Sequence, residues 1–300
     1  MIAVMDGWSF AKGHGTGNDF VILPDPDGVL PLTATLVAAL CDRRRGIGAD
    51  GVLRVVRTAA HPDACALGGT AEWFMDYWNS DGSLAEICAN GVRVFARYLV
   101  EAGWVSGDRF QVVTRAGIVP VEVNHETVAE EIGPPRVYAT STTTISGHTF
   151  TGKAVDVGNP HLVCAVDDAT LSGLNLTAPP VIDGVVFPEG VNVEFAASAP
   201  PPAGADLYER MRVYERGAGE TLSCGSGAVA VAAVALRTAG LEAGVVVVEV
   251  PGGRLTVTFA DGGCWLSGPA VIVAGGTLDP SAVGGLSPDR VGVSVPLAGG

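Results

Sequence analysis

Two short blocks of this sequence occur twice, in the same order, and that repetition constrains the fold more than any other feature. Gly17-Asn18-Asp19-Phe20 returns as Gly158-Asn159-Pro160-His161, and Cys88-Ala89-Asn90-Gly91 returns as Cys224-Gly225-Ser226-Gly227. From asparagine to cysteine the chain runs roughly 70 residues in one half and 65 in the other, and a polar residue, Asn79 or Glu215, stands nine positions before each cysteine. A duplicated unit of that size implies two equivalent domains. Domains so related meet across a pseudo-twofold axis, which sets their equivalent residues on opposite sides of one ligand. Chance matching of short glycine-containing words is the alternative, and 41 glycines add to its weight.

The 300 residues suffice for one large or two ordinary domains. Strand-like segments at 51–57, 111–123, 153–156, 162–166, 244–250 and 254–259 alternate with fewer helical ones, an α/β (α+β) pattern. After Cys88, Val92, Phe95, Leu99 and Ala102 recur at helical spacing and Gly103 supplies a stop; after Cys224 a run apolar on every side reaches Gly240, as for a helix enclosed by a curved sheet. Both repeated cysteines are therefore predicted at helix N-termini. Breaks are predicted at Gly133-Pro134-Pro135, at the threonine-rich Ala139 to Ser146 and at Ala199 to Gly204, the first two marking the domain boundary. From Gly276 onward the composition is that of a loose tail.

A formal charge of -14 argues against nucleic-acid or anionic-membrane partners. The most apolar stretch, Gly227 to Leu236, is far shorter than the ~20 residues that cross a bilayer. The start of the chain lacks the pattern of a signal peptide, so the cytoplasm is the expected location. The six cysteines form no CxxC pair and no Cys/His cluster, which removes the usual support for zinc or disulfide chemistry. Gly13 to Asn18 lacks nucleotide-binding spacing, and Arg43-Arg44-Arg45 is expected to be a solvated surface run. A small-molecule ligand remains the natural partner.

Two cysteines on opposite faces of one α-carbon suit inversion of that centre without a cofactor, one as thiolate removing the proton and the other as thiol supplying a new one. A helix N-terminus is expected to lower a thiol pKa toward the operating pH. The N–H groups of Ala89, Asn90, Gly225 and Ser226 can converge on the substrate carboxylate as charge develops there. His161 and Glu215 are the ionisable residues of the repeated blocks able to hold the thiols in opposite protonation states. His161 can equally serve a turn, and Glu215 can be a surface partner of Arg216. Arg216 offers a fork for a second carboxylate, with Asn18, Asn79, Asn159 and Asn192 orienting charged groups, although asparagines beside glycines also serve turns. Cys41, Cys65, Cys164 and Cys264 are expected as small core residues.

In order along the chain, GTGNDF, RRRGIGADG, WNSDGS, CANG, VGNPH, GVNVEF, YERGAGET, CGSG and PGGRL resemble the diaminopimelate epimerase family, to about Gly276. The resemblance implies two pseudo-symmetric domains, each a curved mixed β-sheet around a central helix, with the site in the interdomain cleft. Residues 1–138 with 268–282 would form the Cys88 domain, 139–267 the Cys224 domain and 283–300 a flexible tail; the segment from Pro269 to Leu278 would return to the first domain. It implies Cys88 and Cys224 as the acid/base pair, tuned by His161 and Glu215. Asn18, Asn79, Asn159, Asn192, Glu215 and Arg216 would surround the substrate, and Ala89, Asn90, Gly225 and Ser226 would bind its reacting carboxylate. The implied reaction converts LL-diaminopimelate to the meso form, for lysine and cell-wall synthesis, with neither pyridoxal phosphate nor metal; a homodimer is compatible with it. Two departures stand out: the usual CGNG is CANG here, and Gly51 replaces a glutamine found in some members. They leave open a relative acting on another amino acid, or a binding protein that has lost turnover.

Overall fold

The structure, a computed structural model, describes residues 7–67 and 71–283. Its strands repeat in order and in sense about a central seam, where β7 (Val128–Ile132) pairs antiparallel with β17 (Gly263–Gly268). Outward from β7 lie β6 (Gly117–Val123), β5 (Arg109–Thr114), β4 (Trp73–Asn79), β3 (Gly51–Arg57), β2 (Asn18–Pro24) and β1 (Trp8–Gly15). Outward from β17 lie β16 (Gly253–Ala260), β15 (Gly244–Val250), β13 (Leu207–Glu215), β12 (Asn192–Ala199), β10 (Pro160–Ala165) and β9 (His148–Asp156). On both sides the successive senses are antiparallel, antiparallel, parallel, antiparallel, parallel and antiparallel. Such agreement is the structural form of the sequence repeat.

The outermost strand of the second half is β8 (Arg136–Ile145), which precedes β9 and pairs antiparallel with it. In the first half that place is filled by β18 (Val271–Leu278), which comes back from the far end of the chain to pair antiparallel with β1, as expected for the segment after Pro269. Two short strands, β11 (Val181–Ile182) and β14 (Gly219–Thr221), extend β8 and β13. The threonine-rich stretch is therefore strand β8 and not a break, because its β-branched residues favour an extended ladder. The chain crosses between halves at Gly133-Pro134-Pro135, between β7 and β8. The single segment predicted at 111–123 divides into β5 and β6 at a tight turn closed by Gly117, whose φ is +127°. Beyond Leu278 a turn buries Val283, so residues 276–283 are not a loose tail; the rest of the expected tail lies outside the described residues.

Each half wraps one helix. α3 (Ala89–Glu101) touches β1, β2, β3, β4, β6, β7 and β18, while α5 (Gly225–Ala239) touches β9, β10, β12, β13, β15 and β16. Val92, Phe95 and Leu99 are fully buried, but Ala102 caps the helix in the open, and Gly103 turns the chain at φ +70°. α5 stops as predicted at Gly240, at φ +72°. Shorter helices α1 (Ala34–Cys41), α2 (Pro62–Ala66) and α4 (Asp168–Gly173) pack outside the sheets. Among the described residues no helix is long and apolar enough to cross a membrane.

One buried charge sits inside this apolar frame. Arg93, on α3, is wholly buried and donates to Glu130 on β7 at 3.1 Å, and it also reaches the Asn90 side-chain oxygen. Burial pushes the Glu130 carboxyl up to about 8, against the pull of Arg93. Removing one partner of such a pair strands the other charge in the core. Glu130→Ala should therefore cost about 3–5 kcal/mol in urea unfolding. A loss below about 1 kcal/mol would contradict that role for the pair.

Candidate active site

Strand ends and helix starts carry the repeated residues to one place. Asn18 opens β2 and Asn159 immediately precedes β10; Asn79 closes β4 and Glu215 closes β13. Cys88 and Cys224 are the N-cap residues of α3 and α5, with extended backbones. The register adds further equivalents. Phe20 lies opposite Gly51, and His161 opposite Asn192, so Gly51 holds in the first half the place of Asn192 in the second.

The two helix starts meet. A methyl group at Gly225 would come within 2.7 Å of the Ala89 methyl. Across the same seam Asn90 donates to the Ser223 carbonyl at 3.1 Å, and the Thr16 and Ser223 hydroxyls bond at 2.6 Å. Thr16 and Gly17, at φ +49° and +83°, form the turn joining β1 to β2, which is why the glycine-rich segment there has no nucleotide-binding helix behind it. The Asn90 side chain also donates to Asn18 Oδ1 at 3.2 Å. Its amide is thus committed to the protein, leaving its backbone N–H as the group able to face a ligand. Ala89 is the first residue of α3 and has no positive φ, so the methyl of CANG imposes no backbone strain.

Around Cys88, the thiol reaches Asn18 Oδ1 at 3.7 Å, and Asn18 donates to Asp50 at 2.8 Å. Arg43 clamps Asp19 and Asp50 at 2.7 Å each, so this member of the arginine run braces the start of β2 and is not merely solvated. Tyr77 donates to Asn79 Oδ1 at 3.0 Å, and Asn79 donates to Ser83 Oγ at 3.0 Å. Tyr77 explains Gly51. A side chain at Gly51 would begin 2.8 Å from the Tyr77 ring and 2.5 Å from the Trp78 carbonyl, so that place is closed.

Around Cys224, the sulfur accepts from the Gly227 N–H at 3.4 Å and lies 3.6 Å from Ser226 Oγ. Glu215 accepts from the Thr221 hydroxyl and turns inward, not toward its neighbour Arg216. Asn192 accepts from the Arg216 backbone N–H at 2.9 Å, and the Arg216 guanidinium donates to the Glu189 carbonyl at 3.0 Å. Among the described residues no carboxylate forms an ion pair with Arg216. His161 is wholly buried, bonded through Nδ1 to Glu194 at 2.7 Å and through Nε2 to Asn159 at 2.9 Å.

The thiols depart from expectation in one respect. Burial pushes Cys88 up to about 12, and Cys224 well above the ordinary thiol range, with the Glu215 charge raising both. The N–H groups of Gly91 and Gly227 pull the other way and lose. For Cys88 the shift amounts to about 4 kcal/mol against ionisation. A helix N-terminus returns only about 0.3–2 kcal/mol. Burial raises the Glu215 carboxyl as well, against the hydrogen bond from Thr221. Of the remaining cysteines, Cys41, Cys164 and Cys264 are buried as expected. Cys65 is exposed because α2 lies on the surface, and its thiol donates to the Thr58 carbonyl.

Sequence reasoning missed Glu194, Tyr77, Arg93, Thr16 and Ser223. Strand and helix periodicity could have found the first three: Glu194 is two residues from Asn192, Tyr77 two from Asn79, and Arg93 three from Asn90, each on the same face as its partner.

Solved structures with this architecture include a hydroxyproline epimerase from Agrobacterium vitis with a TM-score of 0.62, covering 96% of this chain and 97% of that one at 13% identity. A phenazine biosynthesis protein of the PhzF family from Enterococcus faecalis gives a TM-score of 0.63 over 91% and 99%. At 13% identity these likenesses define the class of fold. The family described as "Diaminopimelate epimerase" matches residues 10–138 and 153–273. Proteins named diaminopimelate epimerase from Rhodococcus jostii and Thermobifida fusca are 51% and 50% identical, covering 93% and 91% of this chain and 99% of their own lengths. The chain belongs to the diaminopimelate epimerase family.

Two outcomes test this site. Since raised thiol pKa values leave little thiolate at neutral pH, iodoacetamide should label Cys88 and Cys224 at least about tenfold more slowly than Cys65 near pH 7. Their rates should climb as pH rises toward the raised pKa values, and mass mapping that finds them already at a plateau near pH 7 would contradict it. Gly225→Ala should drive the helix starts apart and cost about 1–3 kcal/mol together with activity. Adding Ala89→Gly should restore both, as read by thermal melts and turnover.

Proposed function

We propose that this chain is an isomerase that interconverts LL- and meso-diaminopimelate without pyridoxal phosphate, in cytoplasmic lysine and cell-wall precursor synthesis. The family membership supports the substrate. The observation that carries the mechanism is the contact of two equivalent cysteine-capped helix starts, Gly225 against Ala89.

In this reading the reacting carboxylate binds between the N–H groups of Ala89, Asn90, Gly225 and Ser226, displacing the water that would otherwise solvate it. One thiolate takes the α-proton: the C–H bond breaks, an S–H bond forms, and the electron pair spreads into the carboxylate that the helix starts stabilise. The opposite thiol then gives its proton to the other face and ends as the thiolate. The cleft begins with both thiols protonated, and the substrate ammonium supplies the positive charge that favours a thiolate. Glu215, whose carboxyl is already raised by burial, is the acceptor for the displaced thiol proton. Arg216, with its fork free of protein carboxylates among the described residues, takes the distal carboxylate, and Asn18, Asn79, Asn159 and Asn192 orient the remaining groups. His161 holds the Asn159 side chain in place at 2.9 Å. Residues 1–138 with 268–282 then form one catalytic domain and 139–267 the other.

Turnover of diaminopimelate in heavy water should place deuterium at one α-carbon, and Cys88→Ala or Cys224→Ala should each lower kcat at least about 10³-fold. Full activity in either variant would end the two-thiol mechanism, and equal turnover of monocarboxylate amino acids would end the substrate assignment.

A further inference from the structure

The two halves differ where β4 meets β3. Leu53 lies opposite Tyr77 as Glu194 lies opposite Val213, so Tyr77 takes in the first half the place of Val213, a buried apolar residue, in the second. The fold therefore accepts an aliphatic side chain at this position and does not call for a hydroxyl. Gly51 makes the tyrosine possible. A methyl group at Gly51 would stand 2.8 Å from the Tyr77 ring and 3.5 Å from its hydroxyl, so the ring covers the place where the other half carries the Asn192 side chain. Edge-to-face packing on Phe20, with ring centres 6.0 Å apart, holds it there.

The direction of the Tyr77 hydrogen bond is fixed from its far end. The Asp81 carboxylate only accepts, so the Ser83 hydroxyl gives its proton there at 2.6 Å and accepts from the Asn79 amide nitrogen at 3.0 Å. The Asn79 oxygen must then face Tyr77, which donates to it at 3.0 Å. With that proton committed, the phenol oxygen keeps only its lone pairs for a ligand. The neighbouring amide is set in the same way: Asp50 takes an Asn18 N–H at 2.8 Å, which leaves the Asn18 oxygen 3.7 Å from the Cys88 sulfur. Burial holds the phenol well above its ordinary range and therefore neutral; Cys88 and, from the opposite half, Glu215 add to this, which puts the hydroxyl at the cleft.

The helix starts and Arg216 offer donors, which suit carboxylates, whereas this corner offers acceptors, which suit an amine. We infer that Tyr77 is a specificity-determining residue whose hydroxyl oxygen accepts a hydrogen bond from an ammonium group of the substrate, on the Cys88 side of the cleft only. The inference rests on the epimerase reading above, and it adds the residue that distinguishes an amino diacid from a plain one. Tyr77 moves no proton in the reaction; it holds the substrate.

The test uses the full chain and Tyr77→Phe, which keeps the ring on Phe20 and removes only the oxygen. Calorimetric titration with diaminopimelate should give a Kd raised about tenfold or more in the variant, as for the loss of one hydrogen bond to a charged group. Pimelate, the same diacid with no amino group, should bind the two proteins within about twofold of each other, which also reports that the variant cleft is intact. 2-Aminopimelate, which keeps one ammonium group, separates the two sources: a matching loss assigns the reacting ammonium, and an unchanged Kd the distal one. A Kd for diaminopimelate unchanged by the substitution, or an equal weakening of pimelate, overturns the inference, as does a wild type that binds pimelate as tightly as diaminopimelate. A wild type that binds diaminopimelate more tightly than pimelate yet does not turn it over sinks the functional reading and leaves this test standing; one that binds neither acid sinks both.

Discussion

Gly225 and Ala89 leave no room between them for another methyl group, and that contact sets how closely the two cysteine-capped helix starts approach. It brings two helix N-termini, each carrying a partial positive charge, to the same point, with the Arg93 guanidinium packed below. Like-signed poles repel, and the protein offsets this with Glu130 and with the bonds from Asn90 and Thr16 to Ser223. What remains is a set of backbone donors, those of Gly91 and Gly227 among them, turned toward the two sulfurs. In the proposed mechanism a carboxylate entering there would relieve the repulsion and gain two sets of N–H partners at once.

The same closeness excludes water from the sulfurs, and here two familiar effects oppose each other. Helix starts favour a thiolate, but burial disfavours it by more, and Glu215 adds to the burial. Burial therefore sets both thiols against ionisation, and in the proposed mechanism the substrate ammonium offsets it. Pseudo-symmetry supplies two thiols in equivalent backbone settings, while the residues behind them differ: Leu53 and Phe20 on one side, Glu194 and His161 on the other. Backbone symmetry thus sets the two sulfurs in equivalent places, and side-chain asymmetry gives them different surroundings.

Much of this was legible in the residues. The repeated words located both helix caps, because in each half a cysteine and small residues precede apolar positions at helical spacing. Gly103 and Gly240 ended those helices where a left-handed cap was needed. What escaped reading was set by tertiary contact. The threonines of β8 look like a linker until β9 is there to pair with them. Thiol pKa depends on the depth of burial, which no local pattern near Cys88 encodes. Tyr77 closes the Gly51 site only because β3 and β4 lie side by side in one register. Period-two spacing puts Glu194 on the face of Asn192, but its burial against His161 depends on the adjacent strand, which the local pattern does not give.

The return of β18 to β1 has a consequence for how the chain is made. During synthesis the first half emerges from the ribosome early but lacks its outermost strand, leaving the edge of β1 open until residues 271–278 appear. The second half has all of its strands, from β8 to β17, before that point. The half made first is therefore closed last. An open strand edge is a site for wrong pairing. Truncation before residue 271 would thus leave the second half with every strand it needs, and the first exposed along β1.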